Sequence, residues 1–393
     1  MNSQLDLPHD FIRREWGFIF FDELPEVVMR RHKAFSRENE ALDYIRGMVP
    51  AHAYHSAAYY EFPGASTMKE KKWQGADLIF DLDADHLPPE DRGRSFKDML
   101  FAIKKETGKL LDFILEDFGF SDDNISIVFS GGRGYHIHIR DPRVLTLGSA
   151  ERREIVDYIC GTGFDPLSVL RKKKIKVKIH DGVRRHPMAY ENEYQMAEMS
   201  TWAKRVAEKT IQFVEKIRSL ENDEAIEKLK RIDGITSKKA KDLLKAIKSY
   251  KSFEELNNII YELGLDRSAS MWSVQQNLIK NIGVKIVEGD TDEPVTADIR
   301  RLIRLPSSLH GGSGMRVVPL KLSEFEIFEP LRDAIVFSEK EIEIEVGTPL
   351  KSQFSHIEMK GKSFTVTEGK NTLPEYAAIY LMCRGAAEYV RKT

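Results

Sequence analysis

Residues 75–89 read GADLIFDLDADHLPP, and both the fold and the chemistry turn on them. Leu78, Ile79, Phe80 and Leu82 make an apolar lead-in; Asp81, Asp83 and Asp85 follow at alternate positions. Successive side chains of a strand point to opposite faces, so a strand here gathers the three carboxylates on one face. Acids this close repel, and burying them is costly unless a cation joins them. One reading is a strand end whose acids face water. The other is a site for a hard divalent cation, Mg²⁺ or Mn²⁺, which takes carboxylate oxygens and leaves room for phosphate. The apolar lead-in favours the second, because open α/β sheets hold ligands at the carboxyl ends of their strands.

Outward from this strand the chain alternates. FIRREWGFIFF (11–21) contains a strand, and 26–49 reads as a helix. Residues 95–120 carry apolar positions Leu100, Ile103, Leu110, Leu111, Ile114 and Leu115 at helical spacing. Strands follow at 124–130 and 135–140, separated by a glycine turn. Strand, helix, strand, hairpin partner is α/β logic with a mixed sheet. From about 196 to 282 proline disappears and Lys, Glu, Leu, Ile and Ala dominate, which reads as a helical insertion. Within it, LKRIDGITSKKAKDLLKAI (229–247) resembles a helix-hairpin-helix, though Thr236 replaces the second turn glycine and an ordinary pair of helices is the alternative. Strand-type sequence returns at 281–289, EIEIEV (341–346) and 363–369, and 374–390 closes as a helix. The expected domains are 1–195 and 283–393, together the catalytic core, with 196–282 inserted.

At 393 residues, 41% hydrophobic and 31% charged, the chain is long enough for two units with ample core. Its net charge of −2 leaves nucleic-acid binding to local basic patches. No apolar run approaches the ~18 residues of a membrane span. The amino end lacks a signal-peptide layout. Two cysteines, Cys160 and Cys383, are too few for a disulfide framework and point to a reducing, cytoplasmic setting.

Three further segments carry chemistry. SGGRGYHIHI (130–139) surrounds a glycine turn with the hydroxyl of Ser130, the forked cation of Arg133 and the imidazole of His136, a set suited to phosphate oxygens. An exposed glycine hairpin is the alternative. In DTDEPVTADIRRLIRLPSSLHGGSGM (290–315), Thr296 suits the N-cap of a short helix with Asp298 in its first turn; Arg300, Arg301 and Arg304 follow, then Pro306 and His310. Residues 171–186 hold eight Lys or Arg against one Asp, the footprint of a polyanion or a lysine-guarded strand edge. The acidic strand also begins as haloacid-dehalogenase-type phosphatases do, but these continue with Thr or Val where Asp85 stands, and that reading leaves the glycine turn without a role.

Together these segments resemble the catalytic small subunit of the archaeal and eukaryotic replicative DNA primase. The resemblance rests on the approach to the acids through Lys72-Trp73, on SGGRGYHIH, and on RLIRLPSSLHGGSGM, and covers about 11–200 and 281–320. It implies a primase-type α/β core with an inserted helical subdomain, making short RNA, and also DNA, primers on single-stranded DNA. It implies a two-metal site of Mg²⁺ or Mn²⁺ on Asp81, Asp83 and Asp292, with nucleotide triphosphate held by Ser130, Arg133, His136, Arg304 and His310. The implied partners are a primase large subunit in a heterodimer, NTPs or dNTPs, and the replicative polymerase machinery, with the protein working at the nucleoid. A repair-type primase-polymerase shares the same core. Many members carry a zinc knuckle after the first motif; residues 86–129 hold no cysteine and only His86, so no structural zinc is expected there.

Overall fold

The computed structural model describes residues 5–24, 26–87, 95–163, 171–175, 189–193, 201–232, 235–249, 295–349 and 351–390. Helix and sheet are mixed throughout, as an α/β reading expects. The chain divides into two compact units: Met1–Val156 with Lys285–Thr393, and Asp157–Val284. The limits read from composition were 195/196 and 282/283.

The first unit begins with β1 (Trp16–Ile19), which pairs antiparallel with β2 (Arg30–Lys33) on one side and β3 (His52–Ser56) on the other. The helix expected over 26–49 is therefore only partly present: α1 covers Glu38–Met48. His32 sits at φ 66°, in the left-handed region that no α-helix contains, and the backbone before it is used as an edge strand by β1. Trp16, Phe18, Phe35, Ala41, Ala53 and Leu305 pack into a core beneath this sheet. Its fourth strand, β11 (Leu302–Arg304), pairs with β3 and comes from far along the sequence. A strand here corrects the expected capped helix after Thr296. The preceding 3₁₀ turn stops at Ala297, and Arg304 lies directly opposite Tyr54 in the ladder. The free edge of β3 wins over helix propensity because it satisfies backbone groups that are buried here.

The hairpin of β4 (Ala58–Tyr60) and β5 (Trp73–Ala76) feeds β6 (Leu78–Asp83). Leu78, Ile79, Phe80 and Leu82 are buried, as the apolar lead-in expects. The strand ends at Asp83, so Asp85 does not share its face; the Asp83 carboxylate accepts from the Asp85 N–H (2.9 Å) and caps a 3₁₀ turn. Helix α2 (Phe96–Asp112) starts from a capping box: Ser95 accepts from the Asp98 N–H, and the Asp98 carboxylate accepts from the Ser95 N–H. The helix leads to β7 (Ile125–Phe129) and, through the glycine turn, to β8 (Gly134–Ile139). With β12 (Val318–Leu320) the order is β12-β7-β8-β6. Among the described residues the expected mixed sheet has only antiparallel pairings. β6 and β7 run the same way, as a crossover helix requires, but the tight turn returns β8 between them.

Arg152, on α3 (Ser149–Cys160), is buried and donates to the carbonyls of Ala76 (2.9 Å) and Asp77 (2.8 Å) at the start of β6. Within the second unit, β9 (Arg171–Ile175) and β10 (Ala189–Glu193) form an antiparallel hairpin; residues 176–186 of the basic stretch lie outside the described residues. Helices α4 (Thr201–Ser219), α5 (Asn222–Lys230) and α6 (Ser237–Ser249) enclose a core of their own. The expected strand at 281–289 also lies outside the described residues.

Back in the first unit, β13 (Glu341–Val346) buries Ile344 and Val346 while Glu341 and Glu345 face water, and pairs with β16 (Gly369–Pro374) and β17 (Ala387–Tyr389). A separate hairpin joins β14 (His356–Met359) and β15 (Lys362–Thr365). The expected helix over 374–390 is shorter, Glu375–Cys383. Gly385 at φ 67° ends it, with the Gly385 and Ala386 N–H groups donating to the carbonyls of Met382 and Leu381, a Schellman closure. Among the described residues no helix is long and apolar enough to cross a membrane.

Candidate active site

Asp81 and Asp83 project from β6, and register with β8 sets Asp81 directly opposite His136 and Asp83 opposite Gly134. The acids are half-buried, and each leans on a guanidinium, with an imidazole also beside Asp81. The Asp81 carboxylate has His136 Nε2 at 3.4 Å on one oxygen and Arg301 Nη2 at 3.5 Å on the other. Asp83 has Arg133 Nε at 3.7 Å, while the far end of the same guanidinium pairs with Asp85. Two carboxylates at alternate strand positions, compensated only by partners at the long end of ion-pair distance, are a donor set suited to a hard divalent cation. Asp292 lies outside the described residues, and among the described residues no group of three His, Cys, Asp or Glu is assembled to hold a metal.

The glycine turn does what its composition implies. Ser130 Oγ accepts from the N–H groups of Gly132 and Gly134, both at 3.2 Å, and so shapes the turn from within. Gly131 is left-handed at φ 73°, and a β-carbon there would meet His310 Cβ at 2.8 Å. At Gly132 it would meet His310 Nε2 at 2.9 Å, so the turn admits the imidazole only because it carries no side chains. Ser313 Oγ donates to the Gly131 carbonyl and ties the two glycine loops together. Arg133 and His310 thus flank one turn although 177 positions separate them in sequence.

Arg304 reaches the same region from β11. Its guanidinium donates to His52 Nδ1 and lies over the Tyr54 ring, 5.0 Å from the centroid. His52 in turn stands edge-on to His310, with ring centroids 5.1 Å apart. Burial, and then the Arg304 charge, hold the His52 imidazole down to about 4. His310 is likewise held well below the usual imidazole range by burial, Arg304 and His52. His136 is lowered by burial, against the opposing pull of Asp81. These rings are therefore neutral near pH 7, and hydrogen bonds fix two tautomers. His310 Nδ1 accepts from the Gly312 N–H (3.1 Å), and His52 Nδ1 accepts from Arg304 and from the Gly311 N–H (3.3 Å). A neutral ring whose Nδ1 accepts carries its proton on Nε2. His310 Nε2–H, beside Gly132, is a donor free to meet an anionic oxygen.

The structure thus brings Asp81, Asp83, Ser130, Arg133, His136, Arg304 and His310 into one neighbourhood of the first unit. Residue-by-residue reading missed four contributors. His52 and Tyr54 alternate along β3, a pattern visible in HAYHS, but their relevance depends on β11 pairing there. Arg301 was read as one of three helical arginines. Asp77 stands immediately before the apolar run and is fully buried, bound by Arg14 (2.7 Å) and the Tyr59 hydroxyl (2.6 Å). Asp298, expected in a helical first turn, is exposed and accepts from the Arg300 N–H (2.9 Å).

Residues 80–322 match the sequence pattern of a family described as DNA primase small subunit. The chain is 43% identical to the DNA primase small subunit PriS of Methanosarcina barkeri, over 99% of its length and 93% of that protein. It is 45% identical to the protein of the same name from Methanococcoides burtonii (98% and 95% covered) and 44% to that from Methanothrix thermoacetophila (99% and 95%).

Proposed function

Because the chain belongs to the DNA primase small subunit family, we propose that its clustered acids and phosphate-type donors form the nucleotidyl-transfer centre of that enzyme. The protein is a DNA primase, the subunit that carries out DNA-directed primer synthesis for replication. Its substrates on this reading are NTPs, and also dNTPs, joined on single-stranded DNA. A primase large subunit is its partner, and the replicative polymerase extends the product. The inserted segment, residues 196–282, is read as a helical subdomain of the primase-type core. The observation that carries the site assignment is the meeting of the β6 carboxylates with Ser130, Arg133, His136, Arg304 and His310.

Asp81, Asp83 and Asp292 are the residues that would hold Mg²⁺ or Mn²⁺. When bound, two such ions supply a more nucleophilic 3′ oxygen and charge neutralisation on the departing pyrophosphate. The chain's own residues do the rest by position and electrostatics. The guanidinium groups of Arg133 and Arg304 neutralise a triphosphate from two sides, and their forked geometry suits paired oxygens. His310 donates through Nε2–H without adding charge. The ring of His136 orients the Asp81 carboxylate. Arg133 and Arg301 stand against the acids when no other cation balances them; a bound triphosphate gives Arg133 a new anion, releasing Asp83. Mg²⁺ or Mn²⁺ is the only metal this reading requires, and no structural zinc is proposed for residues 86–129.

The test is primer synthesis on single-stranded DNA with NTPs after chelation and re-addition of Mg²⁺ or Mn²⁺. Synthesis that returns with either ion, from protein free of stoichiometric zinc by elemental analysis, supports the reading. Synthesis that survives chelation, or returns only with zinc, defeats it.

A further inference from the structure

Helix α6 buries Ala240, Leu244 and Ile247, with Leu243 half-buried beside them, against α4 and α5. That apolar stripe fixes the orientation of the other side chains. Lys238, Lys241, Lys245 and Lys248 fall at i, i+3, i+7 and i+10. At 100° per residue they share an arc of about 80° and form a row about 15 Å long. All four are exposed, as is Lys239, and Asp242 is the one acid on the helix. Among the described residues no carboxylate pairs with Lys238, Lys239, Lys241 or Lys245, and Lys248 donates to the Leu220 carbonyl (3.1 Å) and Asn222 Oδ1 (2.6 Å). The neighbouring helix is built differently: on α5, Glu227 compensates Lys230 at 2.6 Å. Like charges one turn apart on a helix repel, so the row is unfavourable without a counter-ion.

We propose that the lysine face of α6 binds the phosphodiester backbone of single-stranded nucleic acid, through residues separate from the catalytic set of the first unit. A regular row of cations on a rigid helix needs only a regularly charged polymer, and a stacked strand offers one phosphate per about 3.4 Å, roughly four along this row. A membrane surface is a poorer occupant, because an interfacial helix needs exposed apolar side chains. Among the described residues, α4, α5 and α6 contribute none of the exposed large hydrophobic side chains. The surface lies on the second helix of the segment LKRIDGITSKKAKDLLKAI (229–247) and does not depend on the form of the turn before it.

The test uses the full chain with the triple substitution Lys238→Gln, Lys241→Gln and Lys245→Gln, beside a charge-matched control, Lys351→Gln, Lys362→Gln and Lys370→Gln, on the first unit. Binding of a labelled homopolymeric DNA strand is read by fluorescence anisotropy across a salt series, with an RNA strand as a second arm. The α6 variant should bind either strand roughly tenfold more weakly, with a log–log salt slope shallower by about 2, that is three contacts at ~0.7 each. The control should change binding less than about twofold. Unchanged melting temperature confirms that the exposed lysines were not holding the fold. The proposal is overturned if both triples weaken binding equally, if the α6 triple leaves the affinity and slope unchanged, or if polyglutamate displaces the DNA from the wild-type protein as well as unlabelled DNA does. Loss of primer synthesis by the wild-type chain would count against the catalytic reading and leave this one standing.

Discussion

Asp81 and Asp83 are held by His136, Arg301 and Arg133 at distances of 3.4 to 3.7 Å, so their negative charge is only loosely compensated within the chain. Asp81→Asn or Asp83→Asn should leave the melting temperature within a few degrees, since at most ~1 kcal/mol of weak pairing is lost. Primer synthesis should fall at least a hundredfold, about 2.7 kcal/mol in barrier. A variant retaining a tenth of wild-type synthesis would speak against a shared metal. The histidines make a different prediction. Burial holds His52 near 4 and lowers His310 and His136, whereas in the unfolded chain each titrates near 6.5. Between those limits the unfolded state binds more protons, so stability is complete above about pH 6.5 and declines as pH falls toward 4. Thermal melts at pH 5 should lie below those at pH 7.5, and His310→Gln should shrink the difference. A melting temperature flat across that range would mean the rings are protonated in the fold.

Register and turn geometry, rather than any one side chain, aim the site. A β-carbon on Gly134 would fall 2.1 Å from the Leu82 carbonyl oxygen, inside the backbone of the strand that carries the acids. Gly134→Ala must therefore push β8 away from β6, and both stability and synthesis should drop. A Gly134→Ala protein with wild-type melting and activity would show that the two strands do not pair here as described. The third acid belongs to this scale too. In a helix after Thr296, Asp298 would serve the helix dipole. The segment is instead a 3₁₀ turn and then β11, so Asp298 has no such task. Asp298 nevertheless has a local task, capping the Arg300 N–H. Asp298→Asn should keep most synthesis, while Asp292→Asn should abolish it with little change in melting. Reversed outcomes would transfer the ligand to Asp298.

Over the whole first unit, two four-stranded sheets meet at the site, and a buried polar cluster links them. Arg14 is fully buried and donates to the carbonyls of Ser56 and Ala57, to Tyr59 and to Asp77, so the start of β6 is tied to the sheet containing β3. Asp77→Asn leaves the Arg14 cation buried without its carboxylate and should cost about 3–5 kcal/mol. Denaturant melts that show less than ~1 kcal/mol would mean that water or another acceptor takes over the carboxylate's role beside Arg14. The sequence alone determined the strand that carries the acids, the helix and hairpin after it, the phosphate-type donors around Gly131–Gly134 and the change in composition near 196. Each is a local signal: an apolar run, a 3.6-residue period, glycines flanked by donors. Sequence also erred for a local reason, carrying the helix of Glu38–Met48 back to residue 26 and reading another after Thr296, where propensity is ambiguous. Only the tertiary structure decided that Arg30–Lys33 and Leu302–Arg304 are edge strands, because the free edges of β1 and β3 offer hydrogen bonds that no local pattern records. It likewise decided that Arg304 meets His52 and Tyr54, and that Asp77 is locked by Arg14. Contacts between residues tens to hundreds of positions apart are set by strand pairing and burial, which have no signature in the spacing of the residues themselves.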